Sequence, residues 1–182
     1  MRAFVALPVP EPALSALLAV QSRLPVGRAV PEENLHLTLA FLGEVTEAYL
    51  ADLDDILSAT PLPAAEVRFT RLDTFAEIDR GLLFAGVEPA ARLAALEGKV
   101  ARTVRMAGLD LPRRRFRPHV TLTRANRQPR GPARDRMAAA LGMPVQIPAY
   151  TATEAILYRS TLGPGGARHD ALAAYPLSPL AS

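Results

Sequence analysis

The sequence predicts an α+β fold made of two related halves, and three observations carry that expectation. Strand-like and helix-like segments are interleaved without the regular alternation of a doubly wound parallel sheet. The 182 residues are 49% hydrophobic, and proline and glycine are spread through turns and not gathered into a linker, so residues 1–182 read as a single domain. A strand, a helix and a histidine-bearing strand occur in each half.

The elements follow from pattern. Residues 3–7 (AFVAL) are apolar and read as a strand. Glu11 to Leu24 places Leu14, Leu17, Leu18 and Val20 at helical spacing, with Pro12 in the first turn, where proline is tolerated. Residues 35–42 (LHLTLAFL) alternate and stop at Gly43, a second strand. Thr46 precedes Glu47, Leu50, Leu53, Ile56 and Leu57, a capped helix that ends before Pro61. Val67 to Phe75 and Leu82 to Val87 read as strands around a turn at Asp79-Arg80-Gly81. Leu93, Leu96, Val100 and Val104 mark a helix from Pro89 to Met106, with Gly108 beyond its end. Phe116 to Thr123 is a strand, Arg127 to Pro132 a basic loop and Arg134 to Leu141 a short helix. Thr151 to Arg159 and Ala171 to Leu177 read as the last strands, around a turn at Gly163-Pro164-Gly165-Gly166.

Composition excludes several chemistries. With no Cys there is no disulfide, thiolate nucleophile or Cys-ligated zinc, and three histidines leave little for a metal cage. The expectation is no metal and no cofactor. No run approaches the roughly 18 apolar residues of a membrane span. Pro8, Pro10, Glu11 and Pro12 interrupt the N-terminal apolar stretch, so a cytoplasmic protein is expected. Lys99 is the only lysine. Eleven arginines lie between Arg102 and Arg136 against Asp110 and Asp135, so this segment is strongly basic and the remainder net acidic. Such asymmetry suits a polyanion, and arginine matches phosphate through its bidentate fork. Codon bias toward Arg, Ala and Pro explains the charge equally well.

The informative echo is His36-Leu37-Thr38-Leu39, which recurs 83 positions later as His119-Val120-Thr121-Leu122. Side chains alternate faces along a strand, so each motif sets one imidazole and one hydroxyl on one face and packs its apolar residues on the other. If the halves face each other, two imidazoles and two hydroxyls converge. That set suits displacement at phosphorus. One imidazole serves as base and its partner as acid, while the hydroxyls of Thr38 and Thr121 donate to non-bridging oxygens.

With these motifs the chain resembles the 2H phosphoesterase superfamily, and more closely its RNA 2′,3′-cyclic phosphodiesterases, also called 2′-5′ RNA ligases. The resembling segments are MRAFVALPVP, NLHLTLAFLGEV, FRPHVTLTR and YRSTLGPGGARHDALAAYPL, which together span nearly the whole chain. The resemblance implies a bilobal, pseudo-two-fold fold with two antiparallel sheets, outer helices and a central cleft. It implies metal-independent hydrolysis of an RNA 2′,3′-cyclic phosphate end to a 2′-phosphate. His36 would protonate the departing 3′-oxygen and His119 would activate water, with the roles exchanged in the reverse, ligating direction. It also implies that Arg124, five positions after the second histidine, binds phosphate. Strand parity turns Arg124 toward the core, so the strand must end or bulge near Thr123.

Arg113, Arg114, Arg115 and Arg117 precede the second motif, and Arg127 and Arg130 follow it. They are candidates for the cleft rim and for RNA phosphates. His169 lacks a threonine partner and reads as a solvated hairpin residue. Phe4 and Phe41 read as core packing, with base stacking as their other reading, and Tyr158 as core packing, with the cleft wall as its other reading. Glu44 reads as a turn residue. Two other functions compete: the same chemistry on a small cyclic nucleotide, and a non-catalytic RNA-binding module. A monomer acting on RNA is expected.

Overall fold

A strand–helix–strand–helix unit occurs twice along the chain and organises it. In the first, β1 (Arg2–Pro8), α1 (Ala13–Gln21), the short β2 (Arg28–Ala29) and a 3-10 turn (Glu32–Asn34) lead to β3 (His36–Glu44) and α2 (Glu47–Ala59). After β4 (Ala65–Val67) and β5 (Phe69–Asp73), the second runs β6 (Leu82–Val87), α3 (Ala91–Met106), β7 (His119–Arg124) and α4 (Pro132–Ala140). The chain closes with β8 (Tyr150–Ala152), β9 (Glu154–Gly163) and β10 (Gly166–Pro176). The computed structural model describes residues 1–24, 27–75, 82–112, 115–125, 129–164 and 166–179. The expected turn at Asp79-Arg80-Gly81, and Gly165 of the last turn, lie outside them.

The strand order is β10-β9-β1-β3-β7-β6-β5, with β2 along β7, and β4 and β8 form a separate ribbon. Among the described residues, every pairing between these strands is antiparallel. The order divides into two four-stranded halves, β10-β9-β1-β3 and β2-β7-β6-β5. Among the described residues, the ladder joining them has one residue pair, Leu37 opposite Val120.

One face of this array is apolar. Ala3, Val5 and Leu7 of β1, Leu37 and Leu39 of β3, Val120 and Leu122 of β7, and Ala85 and Val87 of β6 are buried in one core. Leu17 of α1, Leu53 and Leu57 of α2, and Leu93, Leu96, Val100 and Val104 of α3 join it. Burial of each of these valine and leucine side chains stabilises by about 1.5–3 kcal/mol. Thr46 caps α2 as its sequence predicts, its hydroxyl accepting from Tyr49 N at 3.1 Å. The Tyr175 hydroxyl donates to Asp54 Oδ1 at 2.8 Å and ties β10 to α2. Among the described residues no helix is long and apolar enough to cross a membrane.

Two expected strands are each divided. Val67 to Phe75 splits at Arg68 into β4 and β5, and Thr151 to Arg159 splits at Thr153 into β8 and β9. The cause is partner choice: Ala65–Val67 and Tyr150–Ala152 pair with each other, away from the main sheet. The last strand begins earlier than its apolar pattern, at Gly166, because β10 pairs with β9 along its full length.

Candidate active site

The single pair joining the halves decides the site. Leu37 and Val120 are the middle residues of the two His-x-Thr motifs, and they face each other with both side chains fully buried. In an antiparallel ladder this register sets His36 across from Thr121 and Thr38 across from His119. All four turn away from the core, and all four are half-buried. The imidazoles occupy one diagonal of the square and the hydroxyls the other. In a regular ladder a diagonal spans about 7–8 Å.

Both rings are held the same way. Nδ1 of His36 lies 2.7 Å from the carbonyl oxygen of Asn34, and Nδ1 of His119 lies 2.7 Å from that of Arg117. A carbonyl only accepts, so Nδ1 carries the hydrogen and donates it. The neutral tautomer therefore leaves Nε2 bare, ready to take a proton, and the imidazolium makes Nε2 a donor. Burial, then His169, Arg124 and His119, lower the pKa of His36 from 6.5 to about 4, against the raising effect of its bond to Asn34. Burial lowers His119 as well, with Arg117 and Arg124 adding to it. Both rings are neutral at neutral pH.

Arg124 reaches this face through a bulge. Along β6 and β7, Leu83 pairs with Thr123 but Phe84 pairs with Thr121, so Leu122 is an extra residue. The burial alternation slips there: Leu122 and Thr123 are both buried and Arg124 is exposed. The expected break is present, one residue earlier. β3 does the same, since Val5 pairs with Ala40 and Ala6 with Thr38, leaving Leu39 extra and Phe41 exposed. Phe41 and Arg124 are thus equivalent positions of the two halves, one aromatic and one cationic. Arg124 lies close enough to lower the basicity of all three histidines.

Two residues that sequence reasoning missed support the β7 bulge. Gln21, at the end of α1, donates from Nε2 to the carbonyls of Val30 and Leu122, each at 2.8 Å. Leu122 O also accepts from Val30 N at 2.9 Å. Gly27 adopts φ +88°, and a Cβ there would come within 3.2 Å of the Arg124 backbone, so only glycine lets the chain pass this close. No spacing rule flags a lone Gln or Gly across so long a sequence gap. Gln21→Met removes both bonds and is expected to cost about 1–3 kcal/mol of stability. Because it loosens Arg124, it also lowers kcat/KM about tenfold. Denaturant unfolding and turnover of a cyclic phosphate check this, and wild-type turnover by the destabilised protein contradicts it.

The wall beside His36 is aromatic, and here three expectations change, those for Phe41, Tyr158 and His169. Phe4 is buried as expected, and it stacks under His36 with centroids 4.7 Å apart and under Tyr158 at 5.2 Å. Phe41 is 63% exposed, not core, because the bulge turns it outward. Tyr158 lines the wall because its register opposite Phe4 sets it on the site face. His169 is no solvated hairpin residue. Its ring meets Phe4 edge-on at 4.9 Å and His36 at 5.3 Å. β10 lies three strands from β3, yet this half-sheet curls until Asn34 Nδ2 donates to Ala167 O at 2.6 Å.

The wall beside His119 mixes aromatic and cation. His119 packs against Phe75 at 4.7 Å and Phe84 at 4.8 Å. Arg117 covers both rings, at 5.0 and 5.6 Å, and pairs with Asp73 at 3.0 Å. Arg117 therefore borders the site with much of its charge engaged. Arg115 and Arg130 are exposed on the segments before β7 and before α4. Arg127, like Arg113 and Arg114, lies outside the described residues. Glu44 pairs with the N-terminal amine at 3.1 Å, a structural role.

Known proteins carry the same plan. A protein of Geobacillus stearothermophilus named RNA 2',3'-cyclic phosphodiesterase is 30% identical over 181 residues, 96% of this chain and 56% of that relative's length. The chain thus spans little more than half of that relative. The crystal structure of E. coli LigT in apo form superposes with a TM-score of 0.79 at 24% identity, over 97% of both chains. The crystal structure of TT0787 of Thermus thermophilus gives 0.71 at 30% identity, over 97% of this chain and 98% of that one. The 2'-5' RNA ligase superfamily matches residues 10–161, which include both histidine motifs, and the chain belongs to it.

Proposed function

We propose that this chain hydrolyses the 2′,3′-cyclic phosphate at RNA ends to a 2′-phosphate, by proton transfer between His36 and His119 and without a metal or other cofactor. One observation carries the reading: the Leu37–Val120 pair, which gathers both imidazoles and both threonines on one face beside Arg124. Relatives named RNA 2',3'-cyclic phosphodiesterase support the substrate class.

Water attacks phosphorus and gives a proton to Nε2 of His119. The P–O3′ bond breaks, and O3′ takes the proton of Nε2 of His36. The phosphate stays on O2′. Thr38 and Thr121 donate to the non-bridging oxygens and Arg124 balances their charge. With the 5′-hydroxyl of a second RNA in place of water, the same groups form the new P–O5′ bond as O3′ leaves, which is 2′-5′ ligation. The basic segment, with Arg115, Arg117, Arg127 and Arg130 on it, supports RNA over a free nucleotide as substrate. The same reading takes the enzyme as a cytoplasmic monomer.

Product analysis is the test. An oligonucleotide ending in a 2′,3′-cyclic phosphate is expected to yield a 2′-phosphate, with full rate in excess EDTA. A 3′-phosphate product, or activity lost in EDTA and restored by a divalent cation, contradicts the reading. The oligonucleotide should outrun a mononucleotide cyclic phosphate, and salt should erode that advantage. Equal turnover of the two at every ionic strength favours the small-nucleotide alternative.

The pH profile has a definite sign. Both histidines are depressed below 6.5 by burial foremost, and the active pair carries one proton in all. In the free enzyme, kcat/KM is therefore bell-shaped with its optimum on the acid side of 6.5, falling about tenfold per pH unit above both values. A bound phosphodiester anion favours the imidazolium, so the kcat profile lies at higher pH than that of kcat/KM. The reverse order contradicts the account.

A further inference from the structure

We propose that His169 is a substrate-binding residue on the His36 side of the cleft, donating a hydrogen bond from Nε2 to the sugar of the bound nucleotide. The inference rests on the reading of the cleft given above.

The tautomer follows from burial. Nδ1 of His169 is buried and has no partner. A hydrogen on that nitrogen would be an orphaned buried donor, which folded proteins rarely tolerate. The neutral ring therefore carries its hydrogen on Nε2, the opposite of His36 and His119, whose Nδ1 atoms donate to carbonyls. Burial and the nearby Arg124 favour this neutral form, against the opposing influence of Asp170.

Position follows from register. His169 faces Ser160 across the β9–β10 pair, Tyr158 faces Phe4, and these residues share the surface that bears His36. Phe4 backs the ring edge-on, and His36 lies 5.3 Å away, centroid to centroid. Among the described residues nothing bonds Nε2 of His169. Two adjacent ribose oxygens are separated by less than these two rings are. When His36 serves O3′, a neighbouring oxygen of the same sugar falls within reach of an Nε2–H donor on His169. The site then presents two Nε2 atoms for proton transfer and one Nε2–H for holding.

Two replacements separate donation from packing. His169→Phe keeps a ring against Phe4 but removes the donor, and His169→Gln loses the ring but sets an amide N–H near the position of Nε2. With a 2′,3′-cyclic mononucleotide, H169F is expected to raise KM about three- to tenfold with kcat little changed. H169Q should stay within about twofold of wild type. Calorimetric binding of a nucleoside 2′-phosphate should follow the same order, and it reads the donor even if wild-type protein hydrolyses no cyclic phosphate. A normal H169F, with or without an impaired H169Q, overturns the proposal, as does equal loss in both.

Discussion

Replacing His36 or His119 with alanine is expected to lower turnover of a 2′,3′-cyclic phosphate by about 10²- to 10⁴-fold, the usual contribution of a positioned acid or base. Neither change should unfold the protein. Both rings stand on the face opposite the core, and their strands are held by Leu37 and Val120, which stay in place. Each substitution does remove a ring from an aromatic contact, with Phe4 in one case and with Phe75 and Phe84 in the other. A modest fall in melting temperature is consistent with that. The double variant should be little worse than either single one, because the two groups act in one step. Near-wild-type rates in both single variants would remove the shared proton transfer from the account.

The second large effect concerns Arg124. Arg124→Met keeps a long side chain but removes the charge, and is expected to cost about 10²- to 10³-fold in kcat/KM, as loss of a group that stabilises developing charge does. A second readout moves the other way. Burial is the first cause of the depressed basicity of His36 and His119, and the Arg124 guanidinium adds to it in both. R124M should therefore raise both histidines toward 6.5 in the empty protein, and proton NMR titration reads this directly. An arginine that merely shaped the bulge would leave those titrations unmoved. The Gln21 variant separates the two roles from the other side, since it disturbs the bulge while keeping the charge.

What the sequence disclosed, and what it withheld, follows from the range of each interaction. Strand parity is local, so His36 and Thr38 could be set on one face from the chain alone. The same parity exposed the difficulty with Arg124 and required the strand to end or bulge near Thr123, and β7 bulges at Leu122. The helix from Thr46 was legible because its cap lies three residues from its donor. His169 was not legible. Its contact with His36 depends on a half-sheet that curls across three strands, with irregular register in both β3 and β10, and no spacing in sequence encodes that curvature. Phe41 was misread for a related reason: an extra residue at Leu39 reverses the face that simple alternation assigns to it. Strand continuity failed where β4 and β8 chose each other, a pairing more than eighty residues apart. Gln21 acts across an even longer gap, on a backbone carbonyl that has no signature in sequence.

The central claim is that one anion is held between His36 and His119. Titration of inorganic phosphate into protein labelled with nitrogen-15 at histidine, followed through the Nε2 resonances, tests it most directly. The account requires both rings to respond with one dissociation constant and both to become more basic as phosphate saturates. If only one ring responds, or the two report different affinities, the imidazoles do not share a site.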